Sequence, residues 1–258
     1  MQQVNLTRLA PSTDYQLLVI GGCGGIGRCL VNAALTNGLK VAVFDLEASF
    51  KTGPLPPQVL QAMVNATKIA EVTRAMKILE TKWGGLDGLV NLAGFMGDKN
   101  TIDDFNPSHW ESIFSASFDS TLNSCKASIP LLRKRAPHAS IVNMSSGLAN
   151  VCSPGYGPYS SAKAAIVALT KSLARENAPD VRCNAVSPGG INTPFLTGGT
   201  GRKAATARID SESYAKLVPL ARMGEPEDVV GPILFLLSQA AGYMTGQVLH
   251  IDGGAWMP

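Results

Sequence analysis

Long apolar runs are missing from this chain, and none approaches the roughly 20 residues that a membrane span requires. Metal-binding residue types are scarce too. The three histidines, His109, His138 and His250, stand far apart, and the five cysteines (Cys23, Cys29, Cys125, Cys152, Cys183) include no Cys-x-x-Cys pair. That spacing offers no metal site. An odd set of unpaired cysteines reads as reduced thiols in a cytoplasmic compartment. Charge is sparse, at 16% of residues, and the formal net charge of +3 forms no basic stripe, which argues against nucleic acid or a membrane surface as partner. Residues 1–15 are polar and lack the apolar core of a secretory signal, so they read as a leader.

What is plentiful is glycine, 26 residues of 258, alongside 45% hydrophobic residues, the composition of a compact chain with many tight turns. Short apolar runs at 16–20, 40–44, 61–64, 86–90, 140–144, 181–186 and 247–251 read as strands buried on both faces. Helices are expected from the first glycine cluster to about Asn37, then over 67–83, 107–135, 159–177 and 227–238. Strands and helices alternate with short connections and no internal repeat. This predicts an α/β fold: a single doubly wound parallel sheet with helices on both faces, forming one domain over residues 1–258. Residues 195–217 are polar and weakly periodic, and are expected to form a mobile substrate loop or lid.

The first apolar run breaks into Gly21-Gly22-Cys23-Gly24-Gly25-Ile26-Gly27 before a helix. Glycines between a strand and a helix permit a sharp turn and close approach of backbone to a phosphate. The free N–H groups and dipole of the helix then face the anion. The plainer alternative is a tight turn with no ligand. Asp45 closes the next strand, where a carboxylate can accept hydrogen bonds from both adenosine-ribose hydroxyls and would repel a 2′-phosphate. Leu46 follows and Gly24 sits in the loop, so no basic side chain stands ready for that phosphate, and NAD is favoured over NADP. Arg28 and Lys51 are the nearby cations, with Arg28 expected to cover the helix surface. Cys23, at a helix start, could be a low-pKa thiol or a small packed residue; the latter is expected.

Tyr159 and Lys163 lie four apart on an apolar helix and so project from one face. A phenol beside an ammonium suits acid/base chemistry, since the cation favours the phenolate. The alternative is a buried tyrosine with a solvated lysine.

The glycine loop, Asn91-Leu92-Ala93-Gly94, a strand ending in Ser145-Ser146, and Tyr159-xxx-Lys163, in that order, resemble the short-chain dehydrogenase/reductase family. Pro188-Gly189, Arg222-Met223-Gly224-Glu225-Pro226 and Asp252-Gly253-Gly254 extend the resemblance to the end of the chain. The resemblance implies a Rossmann-type fold and an oxidoreductase moving a hydride between NAD(H) and a secondary alcohol or ketone. It implies Tyr159 as general acid/base and Lys163 as the lysine that lowers its pKa and holds the nicotinamide ribose. The family's serine precedes the tyrosine by 13 residues, which selects Ser146 over Ser145. Cofactor contacts fall on Gly21, Cys23, Gly24, Gly25, Ile26 and Gly27, on Asp45 and Leu46, and on Asn65 and Ala66. Further contacts fall on Asn91, Ala93 and Gly94, on Tyr159 and Lys163, and on Pro188, Gly189, Ile191 and Thr193. Asn65 stands where an aspartate usually meets the adenine amino group; its amide oxygen could accept that bond.

Three departures stand out. Ile20 replaces a threonine that braces the glycine loop, and Leu92 replaces an asparagine, which is expected to loosen local packing. Ser117 occupies the place of a catalytic-site asparagine that helps hold a water linking the lysine to solvent, so an altered proton relay is expected. The alternative function is a low-turnover or inactive NAD-binding regulator or scaffold. An apolar substrate pocket is expected from Phe95, Met96, Val151, Pro154, Tyr156 and Phe195. The loop cations Arg202, Lys203, Arg208 and Lys216, against Asp210 and Glu212, would meet an anionic substrate or simply be solvated. The family likeness also implies a homo-oligomer, a dimer or homotetramer, built through the 107–135 and 159–177 helices.

Overall fold

The computed structural model describes residues 9–203 and 210–257. Arg208 and the first eight residues of the polar leader lie outside them. Seven parallel strands form one sheet in the order β3-β2-β1-β4-β5-β6-β7. They are β1 (Gln16–Ile20), β2 (Lys40–Asp45), β3 (Leu60–Met63), β4 (Gly88–Asn91), β5 (Ala139–Met144), β6 (Val181–Pro188) and β7 (Val248–Ile251). The order reverses between β1 and β4, which opens a crevice beyond their carboxyl ends. Every residue of β1, β4 and β5 is buried, as their unbroken apolar runs demand.

Helices α1 (Gly25–Thr36) and α9 (Pro226–Leu237) cover one face, through a core that includes Leu17, Val19, Leu30, Val142 and Ile233. On the other face lie α3 (Ile69–Trp83), α5 (Ser120–Arg133) and α7 (Gly157–Asn177), over Leu18, Phe44, Leu89, Ile141 and Leu173. Short helices α2 (Glu47–Phe50) and α6 (Leu148–Val151) follow β2 and β5. The end of the leader is structural: Tyr15 is buried and its hydroxyl donates to the Asp87 carbonyl at 2.7 Å.

The long helix expected over 107–135 is interrupted. α4 (Pro107–Phe114) passes into a π turn, Ser115–Asp119, before α5 begins. Side-chain hydroxyls compete for the carbonyls here: Ser120 Oγ donates to Ala116 O at 2.6 Å and Thr121 Oγ1 to Ser117 O at 2.8 Å. Such back-bonding loosens the helical ladder, and widened turns are frequent at functional sites. The loop expected over 195–217 has local structure at both of its described ends. It opens with a 3-10 turn, Pro194–Thr197, and closes with α8 (Ser211–Leu217), capped by the Asp210 carboxylate on the Ser213 N–H.

Candidate active site

A cavity of about 760 Å³ runs along the carboxyl edge of the sheet. Its floor is the glycine loop. A Cβ at Gly27 would fall 2.6 Å from the Gly21 carbonyl oxygen, so the helix can approach the strand this closely only with glycine there. Helix α1 begins at Gly25, leaving first-turn N–H groups without intrahelical partners at the cavity. Gly21, Gly24, Gly25, Ile26 and Gly27 all line it. Cys23 does not: its thiol lies in the core, and burial, reinforced by Asp45, pushes it up to about 12. The position fits the packed reading of Cys23.

Asp45 and Leu46 line the cavity as expected. The Asp45 carboxylate already accepts the N–H groups of Cys23 (2.9 Å) and Leu46 (2.7 Å), which fixes its orientation toward the cleft. Arg28 does not simply cover a helix surface. It donates to the carbonyls of Cys23 (3.0 Å), Pro54 (2.9 Å) and Gly53 (2.8 Å), stapling the glycine loop to the segment after α2. Lys51 pairs with Glu47 at 2.7 Å. Both cations near Asp45 are thus committed elsewhere.

Asn65 and Ala66 line the cavity, and the Asn65 amide oxygen already has partners there. That oxygen accepts the Thr67 N–H (3.1 Å) and the Thr67 hydroxyl (2.8 Å), which occupies both of its lone pairs. Ala93 and Gly94 line the cavity, whereas Asn91 is buried in the sheet and donates to Asn143 Oδ1 at 2.8 Å. Leu92 does not loosen the strand, for its N–H donates to the Ile20 carbonyl at 2.9 Å. Ile20 itself is core.

Beyond β5 and at the start of α7, Ser146, Tyr159 and Lys163 converge on the cavity. The Ser146 hydroxyl accepts the Leu148 N–H at 3.3 Å and lies near enough to Tyr159 to favour its phenolate. Lys163 Nζ lies 5.5 Å from the Tyr159 ring centre and donates to the Met144 carbonyl at 2.8 Å. Ser145 turns away and donates to the Lys163 carbonyl at 3.0 Å, consistent with the choice of Ser146. Electrostatically the pair departs from expectation. Burial pushes the Tyr159 phenol up to about 12, against the lowering influence of nearby Ser146, and pulls Lys163 down to about 7. For both groups desolvation is the dominant cause.

Ser117 is fully buried in the π turn and does not line the cavity, whose wall there is Ala116 and Ser120. Its hydroxyl has no hydrogen-bond partner and sits 3.0 Å from where a Gly94 Cβ would be. Pro188, Gly189, Ile191 and Thr193 line the far end. Of the expected apolar wall, Met96, Val151, Pro154, Tyr156 and Phe195 are in place, with Phe195 against Tyr159 at 6.0 Å between ring centres. Phe95 is instead packed behind it with Met96, Ile113, Tyr156 and Tyr159.

Sequence reasoning missed Tyr214 and Trp256, which line the cavity from α8 and the C-terminal segment. The Tyr214 hydroxyl accepts the Gly190 N–H at 2.7 Å, drawing α8 onto the Pro188-Gly189-Gly190 turn. A lone tyrosine in a polar loop was the only signal for it. Taken together, the glycine floor, the first-turn N–H groups and the Asp45 carboxylate fit a dinucleotide lying across the β1–β4 crevice.

The family model described as enoyl-(acyl carrier protein) reductase matches residues 21–255. The chain is 33% identical over 250 residues to 2-(S)-hydroxypropyl-CoM dehydrogenase 3 of Xanthobacter autotrophicus, covering 92% of this chain and 95% of that one. It is 34% identical over 247 residues to the 3-oxoacyl-(acyl-carrier-protein) reductase FabG of Chlamydia pneumoniae, covering 93% and 96%. Among solved structures it superposes on the 3-ketoacyl-(acyl-carrier-protein) reductase of Brucella melitensis complexed with NADH, with a TM-score of 0.85, 25% identity and coverage of 95% and 99%. With its ordered motifs gathered around one cleft, the chain belongs to the short-chain dehydrogenase/reductase family of oxidoreductases.

Proposed function

We propose that the protein interconverts a secondary alcohol and a ketone with NAD(H) as hydride carrier. The observation that carries this reading is the convergence of Ser146, Tyr159 and Lys163 in the wall of the dinucleotide cleft, with Lys163 Nζ 5.5 Å from the Tyr159 ring centre. The nicotinamide ring, when bound, supplies or takes the hydride. The protein's own task is the proton. A phenol held above its ordinary pKa is protonated at neutrality and ready to donate to a developing alkoxide; the reverse direction requires it to accept the hydroxyl proton. Ser146 adds a hydrogen bond to the same oxygen as its charge develops. Lys163 is positioned to favour the phenolate whenever it carries its proton. The apolar wall of Met96, Val151, Tyr156 and Phe195 suits a substrate with a ring or alkyl body.

The preference for NAD rests on Asp45 and on the engagement of Arg28 and Lys51 elsewhere. The names of its relatives, a dehydrogenase and an oxoacyl reductase, support one chemistry run in either direction.

The test is Tyr159→Phe, assayed by reduced-nicotinamide absorbance over a panel of secondary alcohols and ketones. Turnover should fall by roughly 10²–10⁴-fold, the worth of positioned proton transfer, with NADH affinity unchanged. A variant that keeps its turnover removes Tyr159 from the chemistry. Saturable NADH binding by the wild type, without turnover of any panel member, would favour the binding-module alternative.

A further inference from the structure

After Thr193 the chain doubles back across the cleft. Thr200 Oγ1 stands 3.8 Å from where a Cβ on Gly24 would be, beside the start of α1. Gly201, at φ +73°, then lies so close to α2 that a Cβ there would fall 2.8 Å from the Ala48 carbonyl carbon and 2.9 Å from Ser49 N. Only glycine fits that contact. One residue later the path turns, and the Arg202 guanidinium lies over the Phe95 ring, its Cζ 3.6 Å from the ring centre. Phe95 follows Gly94 on the β4 side of the crevice. The segment therefore bridges the groove from the β2–α2 side to the β4 side, next to the glycine loop, and Gly199, Thr200 and Arg202 line the cavity.

Arg202 has no carboxylate partner among the described residues. The acids that share the cavity are bound elsewhere. Asp45 holds the Cys23 and Leu46 N–H groups, Asp210 caps α8, and Asp252 accepts the Gly254 and Trp256 N–H groups. The other cations lining the cavity have partners: Lys163 donates to the Met144 carbonyl, and Lys99 lies 5.0 Å from the Tyr156 ring centre. A guanidinium stacked on an aromatic face keeps its edge donors free, in a fork that matches a phosphate. The cleft thus offers N–H groups and a helix dipole from the glycine loop and, across it on Phe95, a guanidinium carried by the segment that passes the start of α1 at Thr200.

We propose that Arg202, seated on Phe95, clamps the diphosphate of the bound dinucleotide from the side opposite the glycine loop. This rests on reading the cleft as the dinucleotide site, and adds to it a binding residue in a loop otherwise assigned to substrate.

The experiment compares wild type, Arg202→Gln and Arg202→Lys in direct binding, by NADH fluorescence and by calorimetry with ADP-ribose and with adenosine. Loss of a charge-assisted contact to phosphate should weaken NADH and ADP-ribose about tenfold in Arg202→Gln. Adenosine, which has no diphosphate, should bind all three proteins alike, and Arg202→Lys should recover part of the loss. Unchanged ADP-ribose affinity in Arg202→Gln overturns the proposal. So does an effect confined to the KM of substrates with anionic tails, which would assign Arg202 to the substrate. If the wild type binds neither NADH nor ADP-ribose, the dinucleotide reading of the cleft fails first and the clamp fails with it.

Discussion

Lys163 is 2% exposed, and that burial has a consequence for stability that does not depend on substrate. Its pKa falls from the ordinary 10.5 in the unfolded chain to about 7 in the folded one. Between those values the unfolded chain binds the extra proton, so folding stability attributable to Lys163 rises with pH across that window. Below about pH 7 both states are protonated and the full cost of burying the ammonium is present. Lys163→Met removes the titrating group at similar volume. The melting temperature of wild type relative to the variant should therefore climb from pH 7 to pH 10. Tyr159 acts only above that range, because its unfolded pKa of 10 rises to about 12 on folding and so costs stability at more alkaline pH. Thermal melts of both proteins across pH 6–10 measure the difference, and parallel profiles would show that Lys163 is not held near neutrality.

At the level of elements, the glycine loop separates two kinds of glycine. At Gly27 an added methyl would meet backbone at 2.6 and 2.7 Å, whereas at Gly24 the nearest atom is 3.6 Å away, an ordinary contact, and the methyl would share the cavity. Gly27→Ala should lose roughly 1–3 kcal/mol of stability through overpacking. Gly24→Ala should lose about 1 kcal/mol, from a poorer N-cap, and pay mainly in NADH affinity. Melts paired with fluorescence titration distinguish them; equal behaviour in both assays would refute the division. Such elements were legible in the sequence because each is local: an apolar run, a glycine cluster, an acid at a strand end. The π turn at Ser117 was not, since it depends on hydroxyls at 120 and 121 taking carbonyls from the helix. The same limit hid the commitment of the Asn65 oxygen to Thr67, the staple made by Arg28, and the Tyr214–Gly190 contact. Residue type and spacing identify which groups can bond, but the partner a side chain takes is settled only when the chain is folded.

Across the whole molecule, the cleft draws on the ends of β1, β2, β4, β5 and β6, so a ligand filling it ties together most of one sheet. All seven strands are hydrogen-bonded in sequence, and the cores on the two faces share those strands. Unfolding should accordingly follow a single transition. A ligand that binds only the folded state stabilises it by mass action, about 2.7 kcal/mol at a hundredfold excess over Kd. For a chain of this size that is roughly 5–10 °C in melting temperature. NADH should produce that shift over the whole transition. NADPH at the same concentration should produce far less, because its 2′-phosphate would sit against the Asp45 carboxylate with Arg28 and Lys51 already engaged. Scanning calorimetry with each nucleotide tests both claims. An equal shift with NADPH would remove Asp45 as the discriminating group, and a second transition that the nucleotide leaves in place would mean that part of the sheet unfolds independently of the cleft.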